Sequence, residues 1–262
     1  MCTAFVRNGH DYICGFNMDI NPEAFDWQLI MDDSVFAVAM PMEKNLSSLL
    51  PAGCPVPHEY TDFENGMLCV QGVGKNGHFG NQLNNLRFSK ARFEISPDCV
   101  PLYYLVDSFI RGKSSLRDIE THARNKRVVN LPTGSIDIPD MGMHSLLSDA
   151  EGNILIVEPG NGIGIPCEKY AVMSNFPVME LPADFTPENF GYYGKDRYDT
   201  ALAMLRNSDD DFSAADGLAI LDAVKQTGRW GTQVSFVYSR NENAVYYTTG
   251  HDFAHIQKHC FG

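Results

Sequence analysis

The sequence predicts an α+β fold in which antiparallel sheets are layered with helices, and three observations predict it. Short runs rich in Val, Phe, Ile and Tyr, broken by Gly, Asn and Asp, dominate the first 85 residues. Helical segments then occur in two pairs, and strand-like runs follow each pair. Hairpin-type connections are common and strict alternation of strand and helix is absent, which favours antiparallel sheets over a doubly wound parallel sheet.

The first half of the chain is expected to contain four strands and two helices. The strands are predicted at 2–7, 12–19, 34–40 and 67–73. The stretch 47–58 contains three prolines and is predicted to be a loop. Helices are predicted at 101–111 and 115–126, and the second begins with Ser115 and Asp118 at capping-box spacing.

The second half repeats this order of strands, helices and strands. Strands are predicted at 143–148, 152–158 and 169–174, with a hairpin turn at 149–153, and a loop is predicted at 177–188. Helices are expected at 196–206 and 213–226, with Ser213 as the N-cap, before closing strands at 232–239 and 244–248. No linker divides the chain, so we expect a single domain over 1–262.

The charge balance excludes some classes of partner. The chain has 20 Lys and Arg against 33 Asp and Glu, so its net charge is −13. Phosphate backbones and anionic membrane surfaces require basic faces, so neither nucleic acid nor membrane is an expected partner. The N-terminus lacks the pattern of a secretory signal, and the seven cysteines have irregular spacing without a CxxC. We therefore expect a cytoplasmic protein with reduced thiols.

The second residue of the chain is a cysteine. If Met1 is trimmed, Cys2 carries a free α-amine beside its thiol. The reference pKa of an α-amine is about 7.7–8.0 and that of a thiol is about 8.5, so the one residue combines a general base with a nucleophile near neutral pH. An accidental preference for a small second residue would also explain Met1-Cys2.

Segments further along the chain add to this observation. Cys2 and the Gly15–Asp19 motif are followed in order by segments spread over nearly the whole chain: Lys75–Asn84, His144–Glu158, Val172–Pro177, Asp196–Tyr198 and Thr232–Tyr247. Together they resemble the choloylglycine hydrolase family, the group of cysteine N-terminal-nucleophile (Ntn) hydrolases that includes bile salt hydrolases and penicillin V acylases. The resemblance implies a four-layer αββα Ntn-hydrolase sandwich of two antiparallel sheets between helical layers.

The resemblance also implies an activity and a set of catalytic residues. The activity is hydrolysis of a linear carbon–nitrogen amide bond in a small molecule, through a cysteine thioester. Cys2 would be the nucleophile, and Asp19 would accept a hydrogen bond from its α-amine. Asn175 would orient that amine, and Arg197 would lie near the thiol and lower its pKa. Asn84 would donate to the tetrahedral oxyanion, although its register is open because Asn81 and Asn85 lie close by.

Two departures from the family pattern bear on substrate and assembly. Phe16 stands where many family members have an arginine, so a neutral or weakly charged N-acyl amide is expected rather than a conjugated bile acid. Phe16 and Asn81 are the candidate substrate-binding residues. Only 197 − 175 − 1 = 21 residues separate Asn175 from Arg197, too few for the long hairpin that joins family subunits. The family tetramer is therefore not expected, whereas a homodimer is possible.

Three alternatives remain open from the sequence. An amine in place of water would make the protein an acyltransferase, and loss of the family arginine is compatible with a non-catalytic small-molecule binder on the same fold. His251, His255 and His259 share one face if the C-terminus is helical, a spacing compatible with a metal. Because this segment is terminal and lacks a zinc-protease glutamate, we expect no metal and no cofactor.

Overall fold

The computed structural model describes residues 2–23, 26–42, 60, 62–86, 98–130, 141–179 and 194–262. The strands are β1 (Cys2–Asn8), β2 (Tyr12–Asp19), β3 (Gln28–Met31), β4 (Val35–Pro41), β5 (Met67–Gly74), β6 (Phe79–Asn81), β7 (Leu83–Leu86), β8 (Cys99–Pro101), β9 (Arg127–Val129), β10 (Met141–Ser148), β11 (Ile154–Glu158), β12 (Gly162–Gly164), β13 (Tyr170–Met173), β14 (Thr232–Ser239), β15 (Ala244–Thr249) and β16 (Gln257–Cys260). The helices are α1 (Leu102–Ile110), α2 (Leu116–Asn125), α3 (Lys195–Arg206) and α4 (Ala214–Ala223).

Two antiparallel sheets carry the architecture. The first has the strand order β13-β1-β2-β14-β15-β16. The second has the order β12-β11-β10-β6-β5-β4-β3, with β7 also paired to β10. Strands β8 and β9 form a separate parallel pair beside α1. The N-terminal strand β1 lies inside the first sheet, hydrogen-bonded to β2 on one side and to β13 on the other.

Side chains alternate between the two faces of the first sheet and so contribute to two cores, one between the sheets and one between the first sheet and its helices. On β1, Ala4 and Val6 face the second sheet, whereas Phe5 faces the helices α3 and α4. Helix α1 packs on the opposite side of the molecule, against β5, β6 and β10. The order of layers is therefore helices, sheet, sheet, helices, which confirms the αββα expectation.

Local sequence signals account for the helix starts. Ser115 and Ser213 cap α2 and α4, and each forms the full capping box with an acidic residue three positions on, Asp118 and Asp216. These boxes satisfy backbone N–H groups that the first helical turn leaves without partners, which is why both starts are predictable from the sequence. Within the described ranges, no helix is long and apolar enough to span a membrane.

Some expectations fail or lie beyond the described residues. The C-terminal histidines do not share a helical face: His251 lies in a turn with φ of 53°, His255 contacts Asp252, and His259 belongs to β16. Short strands such as β6, β12 and β16 were not predicted, because three or four residues carry little periodicity. The expected loop at 47–58 lies outside the described residues, as does most of the loop at 177–188.

Candidate active site

The candidate site lies at one edge of the first sheet. Because its strands are antiparallel, the start of β1, the end of β2, the start of β14 and the end of β13 all meet at this edge. Cys2, Asp19 and Thr232 occupy the first three of these positions, and Asn175 follows β13 by two residues. The topology therefore gathers residues from both halves of the chain around Cys2.

Asn175 contacts the backbone nitrogen of Cys2. Its Oδ1 atom accepts a hydrogen bond from Cys2 N at 2.8 Å, and both groups are buried. Its Nδ2 atom donates to the backbone carbonyl of Asn84 on β7, at 2.6 Å. The fully buried amide therefore links the first sheet to the second and fixes the direction in which its oxygen points.

Arg197 connects four groups of the site from helix α3. Its Nη1 atom donates to Cys2 O at 2.6 Å and to Thr3 Oγ1 at 2.7 Å. Its Nη2 atom donates to Asn175 Oδ1 at 2.8 Å, and Asp19 Oδ2 lies 3.4 Å from Nη1. The residue is only 3% exposed, and four buried acceptors hold the two Nη atoms of its planar guanidinium.

Gly194 makes this packing possible. It precedes α3 with φ of 91°, in the left-handed region that favours glycine. A Cβ atom at this position would lie 2.1 Å from Ser174 Oγ and 2.5 Å from Arg197 Nη2. The backbone at the start of α3 therefore passes directly against the site, and a side chain at residue 194 would displace the arginine.

Asp19 is fully buried at the end of β2. Its Oδ1 atom accepts a hydrogen bond from Thr232 Oγ1 at 2.6 Å, and this hydroxyl also accepts from Gln226 N at 2.8 Å. A bulge in β14 between Thr232 and Val234 places the threonine opposite Asp19. Burial raises the pKa of Asp19 to about 7, against the opposing effects of Arg197 and the Thr232 hydrogen bond.

The environment of Cys2 favours the uncharged form of its thiol. Burial raises its pKa above the ordinary value, and it outweighs the opposite effects of the positive charge at the N-terminus and of Arg197. The expected lowering by Arg197 is therefore present but is not the largest effect. A thiol of this kind requires a proton acceptor at the moment it reacts.

Asn84 contacts the site through its backbone carbonyl, which accepts the hydrogen bond from Asn175 Nδ2. It is partly buried and pairs with Met143 of β10, next to the pair formed by Leu83 and His144. The five candidate catalytic residues thus come together at one edge of the sandwich.

The structure corrects the expectation that Phe16 and Asn81 bind the substrate. Phe16 is fully buried between the sheets and packs on Phe236, with ring centroids 6.0 Å apart, so it has no exposed surface to offer a ligand. Asn81 is also fully buried, and its amide donates to Leu146 O at 2.7 Å and accepts from Leu146 N at 3.2 Å. Both side chains are therefore part of the core, and Asn81 serves to join β6 to β10.

Other residues at the site were missed by the sequence reasoning. Thr232 and Ser174 belong to motifs that carried the resemblance, yet neither was given a role. Ser174 Oγ donates to Cys2 O at 3.2 Å. Their partners lie 172 and 213 positions away in the sequence, so no local pattern identifies these contacts. In the part of the chain that the structure describes, no group of three or more His, Cys, Asp or Glu residues could hold a metal ion.

Solved structures of two amide hydrolases are among those similar to this fold. The chain has a TM-score of 0.62 and 16% identity to a cysteine-to-alanine mutant of conjugated bile acid hydrolase from Clostridium perfringens, covering 98% of this chain and 92% of that one. An arginine-to-leucine variant of the same enzyme gives 0.63 and 17%, with the same coverage. Penicillin V acylase from Agrobacterium tumefaciens gives 0.58 and 13%, covering 95% of this chain and 83% of that one.

These likenesses define the class of fold. The chain has the αββα Ntn-hydrolase fold of these amide hydrolases over nearly its whole length, which agrees with the fold that the sequence resemblance implies. No family model and no curated protein matches the chain by sequence. At 13–17% identity the structural likeness carries the fold, and the chemistry must be argued from the site.

Proposed function

We propose that this protein hydrolyses a linear carbon–nitrogen amide bond, with Cys2 as nucleophile after removal of Met1. The observation that carries the proposal is the pair of contacts to Asn175 Oδ1, from Cys2 N at 2.8 Å and from Arg197 Nη2 at 2.8 Å. Any buried backbone nitrogen needs an acceptor, and here the acceptor is a side-chain oxygen that a buried arginine also holds in place. An α-amine that must be held beside its own thiol requires such a fixed acceptor.

The chemistry follows from the groups around Cys2. The thiol adds to the carbonyl carbon of the amide while the α-amine takes up the thiol proton. The tetrahedral oxyanion then collapses, the carbon–nitrogen bond breaks, and the α-ammonium returns the proton to the leaving amine. Water attacks the resulting thioester and gives a proton to the α-amine of Cys2. The carbon–sulfur bond then breaks, the α-ammonium returns the proton to the thiolate, and the carboxylic acid is released.

The neighbouring residues supply orientation and charge. In its ionised form Asp19 would balance the positive charges of Arg197 and of the α-ammonium, and Arg197 would hold the Cys2 carbonyl so that the residue cannot rotate. Asn84 is the proposed side-chain donor to the oxyanion. A donor of this kind is worth about 3–4 kcal/mol of activation free energy.

The site favours an acyl amide with little charge. Phe16 is turned into the core, so the site lacks the arginine that many members of the family it resembles carry at this position, and the chain has a net charge of −13. Within the described ranges, Arg197 is the cation beside Cys2, and both of its Nη atoms are taken up by protein acceptors. An anionic leaving group would find no available cation among these residues, so a neutral or weakly charged N-acyl amide is the proposed substrate class.

The test begins with the mass of the purified protein, which shows whether Met1 has been removed. A panel of conjugated bile acids, phenoxyacetyl penicillin, N-acyl amino acids and N-acyl homoserine lactones is then assayed for the released amine. We expect cleavage of at least one neutral acyl amide and little cleavage of the bile conjugates. A mass increase equal to the acyl group on the peptide that contains Cys2 would identify the thioester.

Matched variants separate catalysis from binding. Cys2→Ala should lower turnover by at least a thousandfold, whereas Cys167→Ala, at an exposed cysteine, should leave it unchanged. Wild-type turnover in Cys2→Ala would contradict the proposal. Retention of Met1 with ligand binding but no turnover would instead identify a binder, and new amides formed in the presence of added amines would identify an acyltransferase.

A further inference from the structure

A buried histidine–glutamate pair lies behind the candidate site. His144 on β10 and Glu158 at the end of β11 are both fully buried, and His144 Nδ1 lies 3.3 Å from Glu158 Oε1. The other ring nitrogen, Nε2, lies 2.6 Å from the backbone carbonyl of Ser174. Burying two ionisable side chains is costly unless their hydrogen bonds are satisfied, so this pair needs a structural or functional reason.

The partners define where the protons are. The Ser174 carbonyl can only accept, so Nε2 of His144 carries a proton and donates it. Glu158 accepts from Val178 N at 2.7 Å and from Asn161 Nδ2 at 3.3 Å, as an ionised carboxylate does. Burial opposes ionisation, but the hydrogen bonds from His144 and Val178 hold the pKa of Glu158 below its usual value.

The histidine–glutamate pair forms hydrogen bonds with both ends of the short segment 174–179. His144 holds the carbonyl of Ser174, while Glu158 receives Val178 N and, at 3.4 Å, Met179 N. Asn175 lies between these anchors, one residue after Ser174. The segment follows directly after β13 of the first sheet and both anchoring side chains belong to the second, so the contacts connect the two sheets beside the site.

We propose that His144 is a positioning residue for the amide hydrolysis proposed above, and that Glu158 supports it. By holding the Ser174 carbonyl, His144 fixes where Asn175 Oδ1 meets the nitrogen of Cys2. This inference rests on the proposed function for its catalytic consequence, because the nitrogen that Asn175 holds is the proposed base.

The expected consequence is a loss of turnover rather than of substrate affinity. His144 has no exposed surface, so it does not contact the substrate. If Asn175 moves by about 1 Å, the α-amine is no longer aligned with the thiol proton, and misplacements of this size can cost about a hundredfold in rate. We therefore expect kcat to fall while KM stays within about twofold.

Two substitutions of similar size isolate the contact with Ser174. The side-chain amide of His144→Gln reaches roughly the position of Nε2, whereas that of His144→Asn reaches only that of Nδ1. We expect His144→Gln to keep kcat within about fivefold of wild type and His144→Asn to lose at least fiftyfold. The control is Ser145→Ala on the same strand, because the buried Ser145 hydroxyl makes no hydrogen bond to the described residues.

A second measurement does not depend on any substrate. The rate of alkylation of Cys2 by iodoacetamide at pH 7 is followed by peptide mass spectrometry, with the exposed Cys167 of the same molecule as internal standard. Because the amine that accepts the thiol proton is held by Asn175, we expect about tenfold slower alkylation of Cys2 in His144→Asn. His144→Gln and Ser145→Ala should alkylate at nearly the wild-type rate.

The outcomes separate the two proposals. If the wild type cleaves no amide but Cys2 alkylation slows only in His144→Asn, the proposed function fails and the positioning role stands. If the wild type cleaves an amide and a folded His144→Asn matches it in kcat and in alkylation, the positioning role is overturned. If His144→Asn does not fold, Glu158→Gln takes its place, and an unchanged kcat in that folded variant overturns the role.

Discussion

Arg197 donates a hydrogen bond to the carbonyl oxygen of Cys2 at 2.6 Å, across 195 positions of sequence. Helix α3 is thereby tied to the first residue of β1. The same guanidinium reaches Asn175, so a single side chain orients both the carbonyl side and the nitrogen side of Cys2. These contacts restrain Cys2 at the start of β1, and substitutions at and around the site test what the restraint does.

Replacing Arg197 with lysine should disable the site while leaving most of the fold intact. A lysine keeps the positive charge, but its single nitrogen cannot replace the planar fork that reaches Cys2 O and Asn175 Oδ1 together. We expect kcat/KM to fall by at least a hundredfold, which corresponds to about 2.7 kcal/mol. Arg206→Lys, at an exposed position on the same helix, is the control and should behave as wild type. Equal kcat/KM in the two variants would contradict this role.

The ionisation of Asp19 should make stability depend on pH. Its pKa is about 7 in the folded protein against 3.8 in the unfolded chain, so the folded state binds more protons between these values. The stabilisation is complete below about pH 4 and is lost as the pH rises towards 7. Urea unfolding of wild type and Asp19→Asn across pH 4–8 measures this effect. The unfolding free energy of the wild type minus that of Asp19→Asn should fall as the pH rises from about 4 to about 7, because only the wild type ionises at this position, and a constant difference would refute the shifted pKa.

Thr232→Val should move the acid limb of the pH–rate profile. The hydroxyl of Thr232 donates to Asp19 Oδ1 and thereby lowers the pKa of this carboxyl. Valine has nearly the same shape but no donor, so the pKa of Asp19 should rise above 7 and the acid limb of kcat/KM should shift upward by at least half a pH unit. Ser235→Ala on the same strand is the control, because the Ser235 hydroxyl makes no hydrogen bond to the described residues. A shift of equal size in that control would show a general effect on β14.

Gly194→Ala should damage both stability and activity. The left-handed backbone costs a residue with a Cβ about 1–2 kcal/mol, and the new atom would also collide with Ser174 Oγ and Arg197 Nη2. Gly228→Ala has a similar φ of 79° but no atom within 4 Å of the added Cβ, so it pays only the backbone cost. Thermal unfolding and turnover of the two variants separate strain from collision. Similar losses of turnover in both would argue against the close approach at residue 194.

Local signals made the larger elements predictable. The capping boxes at Ser115 and Ser213 depend on residues three positions apart, so the helix starts can be read from the sequence. The strand Thr232–Ser239 is long enough to show its β-branched and aromatic composition. The spacing of the C-terminal histidines left a helical face open as an alternative, because four residues fit one turn of helix as well as a turn followed by a strand, and the structure has the latter.

The candidate site was predictable only in part. Cys2 stands out by its position, and the motif order marks Asp19, Asn175 and Arg197. The residues that restrain them could not be predicted from the sequence. Thr232 is placed by the register between β14 and β2, and His144 is placed by the packing of the second sheet against the first. Phe16 shows the reverse error: its place in a motif pointed to a ligand, while strand alternation turned its ring into the core between the sheets.

The interior position of β1 sets the order in which the molecule can be completed. Its two neighbours are β2, which follows at once, and β13, which ends at residue 173. The hydrogen bond to Asp19 requires a residue still further along the chain, because its donor is the hydroxyl of Thr232. Strand β1 therefore precedes one of its two neighbours by more than 160 positions of sequence, and contacts of such separation form slowly. Cys2 thus reaches its final surroundings only when Asn175 and Arg197, 173 and 195 positions further along the chain, have packed against it.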